Sequence, residues 1–331
     1  MNTPLSGQEF RNDTRRTKSL PPEIIKRLTI IDPLKSSLAI FETAGLIALC
    51  VGLSLYFWNF WVVIPCLLII ATRQQACFVL AHDAAHYRMF KTRWLNDLVG
   101  RLIASPVGIS LFSYRVIHRL HHNHLYGKQD PDIPLHGGYP RGRSYLVKKL
   151  LKDLTGGTAF KTFAYFFGAP AQNKDQAGTQ HEKNRPLDDT SPALRQAANR
   201  DRWAVLTFHI VAPTIAYFSG YLLEYLILWL LPLLTLLQPI LRFRAICEHG
   251  AVSDLGNPMK ASRTNTGPAW IRFLLFPHSV NFHIEHHLYP SIPHYNLAEC
   301  HIELAARGLL EDAEVRDIRS TAQLVTAARV T

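Results

Sequence analysis

Eight of the sixteen histidines in this 331-residue chain fall in three five-residue windows. These are His82-Asp-Ala-Ala-His86, His118-Arg-Leu-His121-His122 and His283-Ile-Glu-His286-His287. Random scatter of sixteen histidines would place fewer than one in those fifteen positions, so the clustering has a cause. On a helix, residues i, i+3 and i+4 share a face with Cβ atoms ~5–6 Å apart. HxxxH therefore offers two imidazoles to one site, and HxxHH offers three. Neutral imidazole is a good ligand for Fe, Zn, Cu and Ni. Eight such ligands exceed what one tetrahedral or octahedral ion uses, so two metals are implied. Ligand type alone leaves iron and zinc both open.

A ninth candidate ligand is His249, which follows Gln238, Arg242 and Ala245 along one helical stripe. Acidic and amide groups accompany the boxes. Asp83, Glu248, Glu285 and Asn281 are candidates to support the ligands from outside, the carboxylates by accepting a free ring N–H. Asp130 and Asp132 read as ordinary solvated acids. His124, His136, His181, His209, His278, His294 and His301 lack partners at ligand spacing and read as structural or solvated, with His124 and His278 close enough to boxes to support them. No catalytic side chain beyond the metal ligands is expected.

These groups need elements to position them. The chain is 48% hydrophobic and 18% charged, with the apolar residues bunched, which marks an integral membrane protein. Apolar stretches at 38–57, 60–80, 203–218 and 221–241 are each close to the ~20 residues a helix needs to cross the hydrocarbon core. Their links, at Trp58–Asn59 and Ser219–Gly220, are short and uncharged, which predicts two tight hairpins. The expected fold is thus all-α: four transmembrane helices in two hairpins, with a helical cap that carries the histidine boxes.

The formal charge is +11, and its placement gives orientation. Arg11, Arg15, Arg16, Lys18, Lys26, Arg27 and Lys35 precede the first span, Arg242 and Arg244 follow the fourth, and the hairpin tips carry no Lys or Arg. The positive-inside rule puts a basic N-terminal arm (1–37) and the segments 81–202 and 242–331 in the cytosol, with all the boxes, leaving 38–331 as the membrane domain. Segment 98–117, apolar but holding Arg101, Pro106, Gly108 and Arg115, is expected to be re-entrant or interfacial, because a full crossing would separate the boxes. Segment 141–170 reads as amphipathic, 20–34 as interfacial or an irregular arm, and 171–201 as a polar loop. Five cysteines without CxxC pairing read as free thiols, and no secretory signal is present.

From about Leu80 to Gly308 the chain resembles the membrane fatty acid desaturase family. The motifs come in order: HDAAH, HRLHH, FRAICEH at a span end, and NFHIEHHLYPSIPHYNL. The resemblance implies two iron ions held by His82, His86, His118, His121, His122, His283, His286 and His287, together with His249. It implies O2 as co-substrate and a lipid or acyl chain as substrate. DPDIP after the second box and HYNL after the third look more like the acyl desaturase branch than the ketolase branch. The stretch 115–158 is also similar to a bacterial subgroup that includes enzymes making vinyl-ether amino acids. Some acyl-CoA desaturases place an asparagine four residues before the lone histidine; here that position is Ala245, so no water site carries over. With no HPGG, neither bound haem nor flavin is expected, and electrons come from a separate ferredoxin or cytochrome b5-type protein. The expected location is the bacterial inner membrane or an ER-type membrane, with the active site on the cytosolic face and no nucleic-acid partner. A hydroxylase or ketolase using the same centre is the competing enzyme reading. A metal transporter or sensor is the reading from another class, and it would place its ligands near the bilayer midplane.

Overall fold

The structure, a computed structural model, describes residues 19–127, 130–168 and 192–328. The basic residues from Arg11 to Lys18 and most of the polar loop lie outside the described residues. In chain order come α1 (Pro22–Leu28), α2 (Pro33–Phe57), α3 (Phe60–Ala85), α4 (Arg93–Ala104) and α5 (Leu111–His124). Then follow α6 (Ile133–His136), α7 (Arg143–Leu154), α8 (Ala159–Phe166), α9 (Pro192–Phe218) and α10 (Leu222–His249). Strand β1 (Thr264–Thr266), α11 (Ala269–Leu275), α12 (His283–Leu288), α13 (Leu297–Ala305), β2 (Val315–Asp317) and α14 (Ile318–Thr326) complete the order. The one departure from an all-α chain among the described residues is the short parallel pairing of β1 with β2, with Thr264 opposite Val315.

The first hairpin forms as its sequence directs. Asp32 caps α2 by accepting from Leu34 N at 2.9 Å, and Pro33 occupies the first turn, so the helix starts five residues before its apolar run. Asn59 caps α3 through Val62 N at 3.2 Å. α2 leaves Leu38, Phe41, Leu49 and Tyr56 exposed, a lipid-facing surface. α3 is the inner helix. From Ile70 to Ala85 every residue is buried, polar ones included. Gln74 donates to Trp229 O at 2.9 Å and Gln75 to Leu275 O at 2.6 Å, so each amide meets a carbonyl where water is absent.

α4 and α5 meet at 92°, the bend expected of a re-entrant segment. Gly108 makes the corner at φ +78°, where a Cβ would lie 2.5 Å from the Phe163 ring. Gly100 lets α4 lie on α3, because a Cβ there would fall 2.6 Å from that of Ala84. Buried Asp201 pins the bend, accepting from Ser110 Oγ at 3.1 Å, Phe112 N at 3.0 Å and Arg101 Nε at 2.5 Å.

One expectation, the count of spans, is met in part, and two need correction. The structure has three helices long and apolar enough to cross a membrane, α2, α3 and α10, or four if the bent α4–α5 pair counts as one. The apolar run 203–218 is helical and follows Arg200-Asp201-Arg202 directly within α9, which is not among those three. Residues 192–201 are helix rather than loop; Asp201 anchors that turn of α9 to the α4–α5 corner. Segment 20–34 is neither an irregular arm nor simply interfacial. Leu20 and Leu28 of α1 are buried against Leu297, Cys300 and Leu304, and Asn296 donates to Leu28 O at 2.8 Å. The amphipathic reading of 141–170 matches α7 and α8, and the five cysteines are free.

Candidate metal centre

Four helices end or begin at one place. His82 lies in the last turn of α3 and His86 caps it. α5 brings His118, His121 and His122, α10 ends on His249, and the six-residue α12 supplies His283, His286 and His287. All nine candidate ligands predicted from sequence therefore meet. In one group the ring nitrogens of His82, His86, His118, His122 and His286 lie within 4.8 Å of one another. In a second, those of His121, His249 and His287 do so. His283 joins the second group through Nε2, which sits 2.8 Å from His249 Nε2 and 3.2 Å from His287 Nε2.

The contacts themselves argue for a cation. His286 Nε2 faces His82 Nε2 at 3.0 Å and His122 Nε2 at 2.9 Å, and His122 Nε2 also faces His118 Nε2 at 3.0 Å. One hydrogen or one lone pair per nitrogen cannot make all three contacts hydrogen bonds. The buried Nε2 of His86 has no partner at all. Burial, and then the neighbouring imidazoles, hold His283, His286 and His287 well below the ordinary histidine range. That shift favours the neutral ring, the state a metal requires.

The outer nitrogens are held unequally. His121 Nδ1 lies 3.0 Å from Asp130 Oδ1, and His249 Nδ1 lies 3.4 Å from both Ala261 O and the Tyr126 hydroxyl. Asp130 is buried rather than solvated, a further correction to the sequence reading. A turn folds it back on its box, with its carboxylate accepting from Tyr126 N and Asp132 N at 2.9 Å each. Burial pushes its pKa up, but the His121 contact outweighs that and holds it below the usual carboxylate range. Asp132 is not an ordinary solvated acid either: it accepts from the Tyr165 hydroxyl and lies 3.6 Å from His121 Nδ1.

Among the supporting candidates, Glu248 Oε1 stands 3.9 Å from His283 Nδ1 and 3.2 Å from Arg244 Nε. Asp83 lies 3.7 Å from His82 Nδ1 but makes its short contact, 2.6 Å, to His294 Nδ1. Glu285 accepts from the Thr264 hydroxyl at 2.6 Å and faces His301 Nδ1 at 2.5 Å, and Asn281 donates to Asn265 O at 3.1 Å. These last two brace the backbone beside α12 rather than an imidazole of the boxes. His136, read as structural or solvated, is buried 4.9 Å from the His249 ring with neither ring nitrogen bonded, and burial lowers its pKa to about 4. No spacing signal marked it, since α6 reaches the centre only through the turn at Asp130.

A sequence model of the fatty acid desaturase family matches residues 58–317. The chain belongs to that family. It is similar to a dihydrorhizobitoxine desaturase of Bradyrhizobium elkanii, 26% identical over 83% of this chain and 77% of the relative. It is also 25% identical to an sn-1 oleoyl-lipid 12-desaturase of Anabaena variabilis, over 88% of this chain and 84% of that one. An sn-1 acyl-lipid omega-3 desaturase (ferredoxin) of Nostoc sp. (strain 36) is 26% identical over 73% and 66%. The desaturase family, the apolar helices and the histidine groups together make this a membrane oxidoreductase of desaturase type with a metal centre.

Proposed function

We propose that the nine imidazoles hold two iron ions and that the enzyme uses O2 to introduce a double bond into a lipid-linked acyl chain. The observation that carries this reading is the convergence of Nε2 atoms from four helices at 2.8–3.2 Å, too close and too many for hydrogen bonds alone. When bound there, irons supply the oxidising power that takes hydrogen from an unactivated carbon. The chain supplies the rest. Asp130 fixes the tautomer of His121 by accepting its Nδ1–H, which leaves Nε2 as the donor to metal. Glu248 stands ready to do the same for His283. Tyr114 stacks on His118 at 5.4 Å and closes the α5 side of the first group.

Residues 38–331 act as one catalytic unit, with the apolar stretch of α9 completing a second hairpin with α10. The centre faces the cytosol, as Lys26, Arg27 and Lys35 before the apolar run of α2 and Arg242 and Arg244 near the end of α10 support. The exposed lysines and arginines of α7 suit an acidic donor, a ferredoxin or cytochrome b5-type protein, and one relative carries ferredoxin in its name. The acyl-lipid relatives support an acyl substrate over a carotenoid.

Turnover under 18O2 followed by mass spectrometry tests the outcome. A desaturase gives a product lighter by two hydrogens with no label. A dominant product with one 18O makes the enzyme a hydroxylase.

A further inference from the structure

Away from the imidazoles, α2, α3 and the segment around α11 line an open cavity of about 220 Å³. Glu42, Arg73, Arg272, Phe273, His278 and Ser279 are among its lining residues. Arg73 is 1% exposed, deep for a cation. Its Nη1 meets Glu42 Oε1 at 2.8 Å, its Nη2 donates to Phe273 O, and its guanidinium lies 4.0 Å over the Phe273 ring. Its Nε has no partner. A buried charged donor left unpaired costs at least ~1–3 kcal/mol, and native structures usually resolve such a group with a ligand or water. Arg272 stands at the rim, exposed and without an ion pair to any described residue. Two guanidiniums therefore face one carboxylate, and the cavity favours an anion.

The loop beneath is shaped for the purpose. His278 and Ser279 sit consecutively at φ 53° and 59°, where non-glycine residues are strained, and His278 Nε2 lies 2.8 Å from Thr43 Oγ1. Phe273 of the lining is exposed, as are Phe41 and Trp270, the chain neighbours of the lining residues Glu42 and Ala269, an apolar and aromatic surface such as a helix bundle carries at the edge of a bilayer. This apolar surface points to the lipid side as the source of an anion. The His278 ring also lies tilted against that of His294, 5.2 Å between centres, and His294 bonds Asp83, the neighbour of His82.

We propose that this cavity binds the phosphate of a glycerophospholipid headgroup, positioning the lipid whose acyl chain is oxidised. Guanidinium groups suit phosphate because their planar forks match its oxygens two at a time. The inference rests on the acyl-lipid reading above, and its test separates the two.

Native mass spectrometry of the iron-loaded protein, released from detergent with added dioleoylphosphatidylglycerol, reads binding without turnover. The wild type retains one such lipid at about tenfold lower concentration than Arg272→Gln, the loss of a charge-assisted contact. Arg272 is exposed and its replacement leaves folding intact, whereas Arg73→Gln strands Glu42 and serves only as a second variant if it folds. Equal retention of phosphate-free dioleoylglycerol, or equal retention by Arg272→Gln, overturns the proposal. Displacement of the lipid by millimolar inorganic phosphate overturns the lipid source in favour of a soluble anion. If the lipid binds as expected but is never desaturated, the cavity stands and the acyl-lipid reading falls. If phospholipid is desaturated and Arg272→Gln leaves KM unchanged, the cavity assignment falls alone; the expected change is a KM about tenfold higher.

Discussion

The two halves of the histidine cluster are built from the same residue type yet surrounded differently. His82, His86, His118, His122 and His286 press on one another with little oxygen behind them: Asp83 lies 3.7 Å from His82 Nδ1 and spends its short contact on His294. In the second group His121 is backed by Asp130 and His249 by Ala261 O with the Tyr126 hydroxyl, while Glu248, 3.9 Å from His283 Nδ1, is no nearer its imidazole than Asp83 is to His82. A carboxylate behind an imidazole raises its basicity and locks its ring. The second half should therefore grip its metal harder, and the first half should carry the more exchangeable one.

The largest effects test whether both halves are needed. His286→Ala in the first and His121→Ala in the second should each reduce turnover to background and lower metal content from two ions per chain toward one. Elemental analysis of anaerobically purified protein checks this, and unchanged metal in either variant breaks the comparison. Next in size, Asp130→Asn should weaken metal binding by about 10–100-fold. A chelator titration should strip the first half before the second in the wild type, and the substitution should level that order. If Asp130→Asn leaves the titration untouched, the backing carboxylate is irrelevant to the grip.

Acidity comes third. His283 and His286 are held below the ordinary value of 6.5 by burial in the folded chain. A depressed folded value means that stability is full above about pH 6.5 and is lost as pH falls toward the folded values, because the unfolded chain takes up the protons. Each imidazole contributes up to about 1.4 kcal/mol per pH unit in that window. The melting temperature of metal-free protein should fall between pH 7.5 and 5.5, and a flat profile would sink the argument. The smallest effect belongs to α7, which packs beside α10 on the side of the second half. Reversing Lys148 and Lys149 to Glu should slow turnover at subsaturating donor by a few-fold at low salt. The difference should vanish as salt screens charges over ~8–10 Å.

The eight box imidazoles were legible because i, i+3, i+4 spacing survives translation into a helix without help from tertiary structure, and the lone His249 from its place on a polar stripe at the end of an apolar run. The bent segment was legible for a similar reason: charges and Gly108 inside an apolar run leave few alternatives. Asp130 was not, since an acid eight residues past a box looks like any loop acid until Tyr126 N and Asp132 N turn it inward. Nor were Arg73, Gln74 and Gln75, whose partners include Phe273, Trp229 and Leu275, more than 150 residues away. His294 and His301 escaped notice for the same reason: their carboxylate partners, Asp83 and Glu285, are meaningful only in the fold. The count of spans was hardest, because 203–218 is apolar enough to suggest a crossing and too short to require one.

The clasp between α1 and α13 sets an order of events during synthesis. Leu20 and Leu28 emerge from the ribosome among the earliest described residues, yet their seat is Leu297, Cys300 and Leu304. The α2–α3 hairpin can enter the membrane long before, with His82 and His86 at its end and their counterpart His286 about two hundred residues from being made. Until then half-built ligand sets stand open to whatever metal is abundant, and α1 has nothing to dock on. Completion of the last helices supplies both the missing imidazoles and the latch. The full set of nine imidazoles exists only once α12 is made, and a chain stalled before it lacks His283, His286 and His287 as well as a seat for α1.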